Sequence, residues 1–285
     1  MAAGPLHPTA LAYSAAPDDL LRQATFALNA KRPQEAERIA RQILKTDPRR
    51  TPALHILGGA LLMQDRAADA VASLEDAARA LRDPETDTLL AIALRRIGRN
   101  EDALSRLKRA IKRRPPFGAA FHELGFLLFS TERYNQAIEV LSRAQELLPM
   151  MPELSLLLGN VFLGCRNFPN AKVSFARALN ISPNSLDPMY GLAVAHWRLC
   201  EYQAAADLFR RCLMGNPDDV STWLGLGHCL LELGQSNAGY DCFRAVARRD
   251  PRHYGSALAA VVTSGRSRFW LKPSAAERFL RGTKS

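Results

Sequence analysis

A regular spacing between small side chains is the feature of the sequence that most restricts its fold. Two series of alanines and glycines run along the chain at intervals of 33 or 34 residues. The first series is Ala24, Gly58, Ala91, Gly125, Gly159, Ala193 and Gly227, and the second is Ala36, Ala70, Ala103, Ala137, Ala171, Ala205 and Gly239. A fixed period of this length indicates a repeat protein, in which each repeat packs against its neighbours.

Larger apolar residues and prolines recur with the same period. The apolar set is Leu74, Leu107, Leu141, Phe175, Phe209 and Phe243, and the prolines are Pro48, Pro115, Pro149, Pro183, Pro217 and Pro251. Within a repeat the apolar residues are three or four positions apart, which is the spacing of one helix face. Because proline ends a helix, each repeat is predicted to be a helical hairpin. The small residues allow its two helices to approach closely.

The last repeat resembles the tetratricopeptide repeat (TPR) most fully, through Trp223, Leu226, Gly227, Phe243 and Pro251. The resemblance extends over seven consecutive repeats. It implies an all-α fold, a right-handed α-solenoid of antiparallel helical hairpins that forms a superhelix. The repeats are predicted at about 17–50, 51–83, 84–117, 118–151, 152–185, 186–219 and 220–251. We expect residues 1–16 to be a flexible N-terminal segment.

The chain after residue 251 is predicted to form a capping helix and a basic C-terminal tail, over 252–285. Tyr254–Thr263 has the pattern of an apolar helix over the last hairpin, and a short final helix follows to Arg281. Phe269, Trp270 and Leu271 require burial. They either fold back on the end of the repeats or dock on another domain or chain, and the sequence leaves both alternatives open.

Neither a catalytic motif nor a metal-binding motif is found. Phosphate-binding, serine-hydrolase and zinc-protease patterns are absent, the six histidines are dispersed, and the five cysteines include no C-x-x-C pair. We therefore expect a non-enzymatic protein without a cofactor. No secretory signal and no membrane-spanning stretch are apparent, so a cytoplasmic location with reduced thiols is expected.

The TPR resemblance implies that the first helix of each hairpin lines a concave groove. The candidate groove residues are His55, Met63, Ile92, Arg95, Arg96, His122, Phe126, Phe129, Leu156, Asn160, Leu163, Tyr190, Val194, Trp197, Arg198, Leu224, His228 and Leu231. Hairpin packing does not require apolar side chains at these positions. A bound protein or peptide segment is the first explanation, and burial by a tightly wound superhelix or by the tail is the alternative. Arg95, Arg96 and Arg198 would suit an acidic partner.

Two other functions remain as alternatives. In the first, the chain is the TPR module or an accessory subunit of a bacterial transferase system, because the tail around Phe269–Ser274 resembles the joint of bacterial proteins in which TPR repeats precede a sulfotransferase, glycosyltransferase or oxygenase domain. Nucleic-acid binding is the third hypothesis, because the net charge of +10 is concentrated in residues 95–114 and 252–285. It is the least favoured, since the groove is apolar and no base-reading code is apparent. The sequence does not indicate the partner's identity or the oligomeric state.

Overall fold

The computed structural model describes residues 17–249, 251–263, 267 and 272–281, and every regular element in this part of the chain is helical. The sixteen α-helices of these ranges are α1 (Pro17–Asn29), α2 (Pro33–Thr46), α3 (Thr51–Met63), α4 (Ala67–Leu81), α5 (Pro84–Arg96), α6 (Asn100–Ala110), α7 (Gly118–Ser130), α8 (Tyr134–Leu147), α9 (Pro152–Gly164), α10 (Phe168–Ile181), α11 (Leu186–Arg198), α12 (Tyr202–Gly215), α13 (Val220–Glu232), α14 (Ser236–Arg249), α15 (Tyr254–Thr263) and α16 (Pro273–Arg281). A short 3-10 turn, Pro251–His253, precedes α15. The predicted helical hairpins are confirmed.

Contacts divide the chain into two compact units, Met1–Glu123 and Leu124–Ser285. In the first unit, α1 packs on α2, α3 on α4 and α5 on α6. Leu74 and Leu107 on the second helices of two hairpins are almost fully buried. Sequence signals start these helices: a proline stands in the first turn of α2, α3 and α5. Asp83 additionally caps α5, because its carboxylate accepts a hydrogen bond from the Thr86 N–H at 2.7 Å.

In the second unit, the pairs α9/α10, α11/α12 and α13/α14 repeat the same arrangement. Its core is built around three phenylalanines on the second helices, Phe175, Phe209 and Phe243, none of them more than 1% exposed. Glycines make room for these rings. A Cβ atom on Gly159 or on Gly191 would lie 2.5 Å from Cε1 of Phe175, far inside van der Waals contact. The periodic small residues therefore serve the close helix packing that the sequence predicts.

The last two helices close the second unit. Ala257, Ala260 and Val261 of α15 join the core cluster of Phe243, and α16 packs on both α14 and α15. Leu280 of α16 is buried in the same cluster. The final helix thus folds back on the end of the repeats. Phe269, Trp270 and Leu271, whose burial the sequence leaves open, lie outside the described residues.

Candidate functional site

Two adjoining cavities of the second unit contain a large share of the predicted groove residues. One cavity has a volume of about 660 Å³ and lies along α9, α11 and the start of α13. The other has a volume of about 670 Å³ and lies against the ends of α7, α9 and α11. They share Asn160, Leu163 and Val194, so they form one continuous depression, here called the α9–α11 groove. The predicted residues that line it are Phe129, Leu156, Asn160, Leu163, Tyr190, Val194 and Arg198.

Helical spacing explains why these side chains share a face. Leu156, Asn160 and Leu163 follow each other at four and three residues on α9. Tyr190, Val194 and Arg198 follow at four residues on α11. The apolar members are half-buried, so each presents part of its surface to the groove. Buried small residues occupy the opposite faces of the same helices, and the packing of the hairpins depends on those faces.

One end of the groove is acidic and polar. Asp187, Asp219 and Ser221 line it at the N-terminal ends of α11 and α13, together with Asn216 at the C-terminal end of α12. Asp219 caps α13: its carboxylate accepts hydrogen bonds from the N–H groups of Ser221 and Thr222, at 3.3 and 3.2 Å. Tyr190 lies beside these residues. Burial first, and then the Asp219 charge, raise the pKa of its phenol above the ordinary value, so the hydroxyl stays protonated at neutral pH.

The other end of the groove is basic and aromatic. Arg166, Phe168 and Arg198 line it. The Arg198 guanidinium carbon lies 4.7 Å from the centre of the Trp197 ring and 6.0 Å from that of Phe168. Cation–π contacts of this kind hold the guanidinium at the rim. Trp197 itself is stacked on the His228 ring, with the ring centres 5.6 Å apart.

The prediction for Leu231 is wrong. Its side chain is 0% exposed and belongs to the core cluster of Phe243, Val246 and Ala257, so it does not line a groove. The reason is the capping helix α15, which follows the last hairpin and covers this position. Leu224 packs against the same cluster.

His228 packs between the last two hairpins. Its ring stacks on Trp197 and meets the Phe243 ring edge-on, with 5.5 Å between the latter two centres. Burial lowers the pKa of the imidazole, and the Glu232 charge opposes this effect more weakly. His228 is therefore neutral at pH 7 and serves the packing of these rings. Phe126 is half-buried on α7, outside the residues that line the two cavities.

In the first unit, the predicted groove residues engage other side chains of the same unit. His55 Nδ1 lies 2.8 Å from Thr86 Oγ1, and His122 Nδ1 lies 3.8 Å from the Glu123 carboxylate. Arg95 pairs with Glu123 at 3.4 Å. Arg96 donates to the Leu62 carbonyl at 2.9 Å and pairs with Asp65. Met63 is 46% exposed and Ile92 is half-buried, but neither adjoins one of the cavities described above.

Asp87 is a charged residue that the sequence reasoning missed. Its carboxylate is completely buried, and Arg106, Arg109 and Arg113 all reach it. The hydrogen bond to Asp87 raises the pKa of Arg109. These arginines make up a third of the basic residues in segment 95–114, so part of that charge is directed at a carboxylate inside the molecule. Asp87 lies outside the repeat pattern, and no sequence signal pointed to it.

The structure also locates the cysteines. Cys165 and Cys200 are exposed, whereas Cys212, Cys229 and Cys242 are buried in the helix packing. Burial raises the pKa of the Cys212 thiol to about 11 and those of Cys229 and Cys242 to about 12. Across the described residues, no three His, Cys, Asp or Glu side chains are grouped so that they could hold a metal ion. Nor is any helix in the described part both long and apolar enough to cross a membrane.

Comparison with known proteins places these hairpins in one family. The tetratricopeptide repeat pattern matches residues 21–84, 88–152 and 156–220, and a second pattern of the same description matches 201–261. A curated relative, the tetratricopeptide repeat-containing protein trd-1 of Caenorhabditis elegans, is 20% identical over 159 residues. The match covers 56% of this chain and spans only 20% of that relative's length.

Solved structures share the fold at low sequence identity. The C-terminal part of a TPR repeat-containing protein from Cytophaga hutchinsonii is 13% identical with a TM-score of 0.67, over 85% of this chain and 99% of that one. PilF of Pseudomonas aeruginosa is 19% identical with a TM-score of 0.62, over 72% and 96%. A chain of the APC/C hetero-tetramer Cut9–Hcn1 is 14% identical with a TM-score of 0.64, and the match covers 94% of this chain and 49% of that one. The predicted all-α helical-repeat fold is confirmed, and the chain belongs to the tetratricopeptide repeat family.

Proposed function

We propose that this chain is a non-enzymatic adaptor that binds a segment of another protein in the α9–α11 groove. The observation that carries the proposal is the continuous depression lined by Leu156, Leu163 and Val194, which pack partly against the core clusters and still present the rest of their surface to the groove. Apolar surface that remains open to solvent between polar rims is typical of interaction sites. A TPR fold is in general a scaffold for protein interactions, and this supports the proposal that the groove holds a partner.

The dimensions of the groove favour a peptide segment over a flat protein surface. Each cavity has a volume of 660 to 670 Å³, which is within the range of about 300–1,000 Å³ that holds a small ligand or a few side chains. Aromatic residues stand at both ends, Phe129 and Phe168 at one and Tyr190 at the other. Rigid aromatic side chains are frequent anchors of binding energy. The Cut9–Hcn1 hetero-tetramer is an example in which a protein of this fold assembles with another chain.

A charge placed inside the groove tests this proposal. We suggest the double variant Leu163→Glu/Val194→Glu as bait in an affinity purification, next to the unaltered protein. Glutamate is compatible with a helix, so the helices should persist while the groove loses its apolar floor. We expect the partners recovered with the unaltered protein to be lost with the double variant.

The matched control is Val173→Glu. Val173 is also an apolar residue on a helix, α10, but it is 67% exposed and lies outside the groove. This variant should recover the same partners as the unaltered protein, and circular dichroism should show that both variants are folded. If the double variant recovers every partner as efficiently as Val173→Glu does, the groove is not the binding site.

A further inference from the structure

The two ends of the α9–α11 groove carry opposite charge. Asp187 and Asp219 line only the cavity at the start of α11 and α13, and Arg166 and Arg198 line only the cavity at the end of α9 and α11. Apolar Leu163 and Val194 belong to both cavities and lie between the charged ends. The groove therefore has a polarity, acidic at one end and basic at the other, across an apolar middle.

No ion pair in the described part of the protein neutralises these charges, although the Asp219 carboxylate also accepts the hydrogen bonds that cap α13. Asp187, Asp219, Arg166 and Arg198 form no ion pair there, in contrast to Arg95 and Arg96 of the first unit. Arg198 is held by the faces of Trp197 and Phe168, which keep the guanidinium at the rim without neutralising it. A fixed, uncompensated cation at one end and carboxylates at the other are the elements of electrostatic complementarity with a partner.

We infer that the occupant of this groove is an extended peptide segment with a basic and an acidic side chain about five residues apart and apolar side chains between them. This inference rests on the proposed function. The basic side chain would meet Asp187 and Asp219, and the acidic one would meet Arg166 and Arg198. Asp187 and Arg198 are eleven residues apart on α11, or about 16 Å along its axis. An extended chain rises about 3.3 Å per residue and spans that distance in about five residues.

A competing explanation is that these charges only stabilise α11. Asp187 is in its first turn and Arg198 in its last, and both signs suit the helix dipole. Under that explanation a peptide in the groove would show no preference for charge. The two explanations therefore differ in the sequences of the peptides that bind.

Selection of random twelve-residue peptides displayed on phage, with the full chain as bait, distinguishes them. We expect the selected peptides to carry opposite charges about five positions apart, with apolar residues between. The same selection on Arg198→Glu should yield peptides with Lys or Arg in place of the acidic residue. Peptides from each selection should bind their own bait about tenfold more tightly than the other, a ratio in the range expected for a close charge pair. Gain of binding by Arg198→Glu would also show that this variant is folded.

Three results would overturn these ideas at different levels. In the first, the selected peptides lose binding to Leu163→Glu/Val194→Glu, but they show no charge pattern, or the selection on Arg198→Glu yields the same charge pattern as the selection on the unaltered protein. The charge inference then fails while the groove proposal stands. If the selected peptides bind Leu163→Glu/Val194→Glu as tightly as the unaltered protein, the proposed function fails. If no peptide is enriched, both fail.

Discussion

At the scale of single residues, a large side chain on one hairpin faces a glycine on the next hairpin. Phe175 faces Gly191 of the following hairpin, and Phe209 faces Gly225 in the same way, each with 2.5 Å between the ring and a Cβ placed on the glycine. At the equivalent position Leu141, a smaller residue than phenylalanine, is followed by Leu157. Close packing explains this, because the volume between two helices is shared by the residues that face it.

Replacement of Gly191 by alanine tests this size match. Alanine is the better helix former by about 1 kcal/mol, but its Cβ would overlap the buried Phe175 ring, and overpacking of a core costs about 1–3 kcal/mol. We expect Gly191→Ala to lower the free energy of unfolding by about 1 kcal/mol in urea titrations. Gly255→Ala in α15 is the matched control, because no atom lies within 4 Å of its added Cβ. Equal stability of Gly191→Ala and the unaltered protein would contradict the account.

The half-buried His228 predicts a pH dependence of stability. Burial lowers its pKa in the folded state below the ordinary value of 6.5. The unfolded chain therefore binds a proton more readily than the folded protein. The stability that the neutral His228 contributes is fully present above pH 6.5 and is lost as the pH falls from that value toward the lower pKa of the folded state. We expect the free energy of unfolding to decrease between pH 7.5 and 5.5, and to decrease less in His228→Gln. An equally steep decrease in both proteins would show that other groups are responsible.

At the scale of elements, one turn position recurs in all seven hairpins. Lys31, Asp65, Gly98, Glu132, Arg166, Cys200 and Gly234 adopt positive φ angles between +57° and +82° in the link between two helices. They are 33 or 34 residues apart, like the small residues in the helices. Five of the seven are not glycine, and each of these accepts a left-handed conformation that L-residues disfavour.

Substitutions at this turn position should change stability in opposite directions. Lys31→Gly relieves a left-handed lysine, but glycine gains entropy in the unfolded chain, which offsets part of this relief. The free energy of unfolding should therefore rise by only about 0.5 kcal/mol. Gly98→Ala should lower it by about 1 kcal/mol, and only through the backbone, because its Cβ would meet no atom within 4 Å. Urea unfolding curves measure both changes. The same sign of change in the two variants would refute the explanation.

At the scale of the whole molecule, the period of the sequence predicts much of the fold. It predicts the hairpins and the helix contacts, because those features depend on residues that recur, whereas the helix after Pro251 is predicted from the apolar pattern of Tyr254–Thr263. The buried Asp87 with its three arginines could not be predicted, since it occurs once and depends on contacts of α5 with α6 and with the segment that follows α6. The Asp87 cluster also shows that part of the positive charge of segment 95–114 is directed inward, toward a buried carboxylate.

The candidate site was predicted in part for the same reason. Groove positions follow from the helical period, and those on α9 and α11 line the two cavities, with the exception of Trp197. Leu231 follows the same rule but is covered, because the end of a repeat array lacks a further hairpin and α15 takes its place. The uncompensated charges at the groove ends depend on which ion pairs form in three dimensions, and the sequence alone does not give those pairs.

Photo-crosslinking from inside the groove tests the central claim most directly. Benzoylphenylalanine would replace Val194 in one protein and the exposed Val173 of α10 in another, and each would be irradiated with the partner recovered by affinity purification. A partner segment bound in the α9–α11 groove would crosslink from position 194 and not from position 173. Crosslinks of equal yield from both positions, or a bound partner that crosslinks only from position 173, would contradict the account.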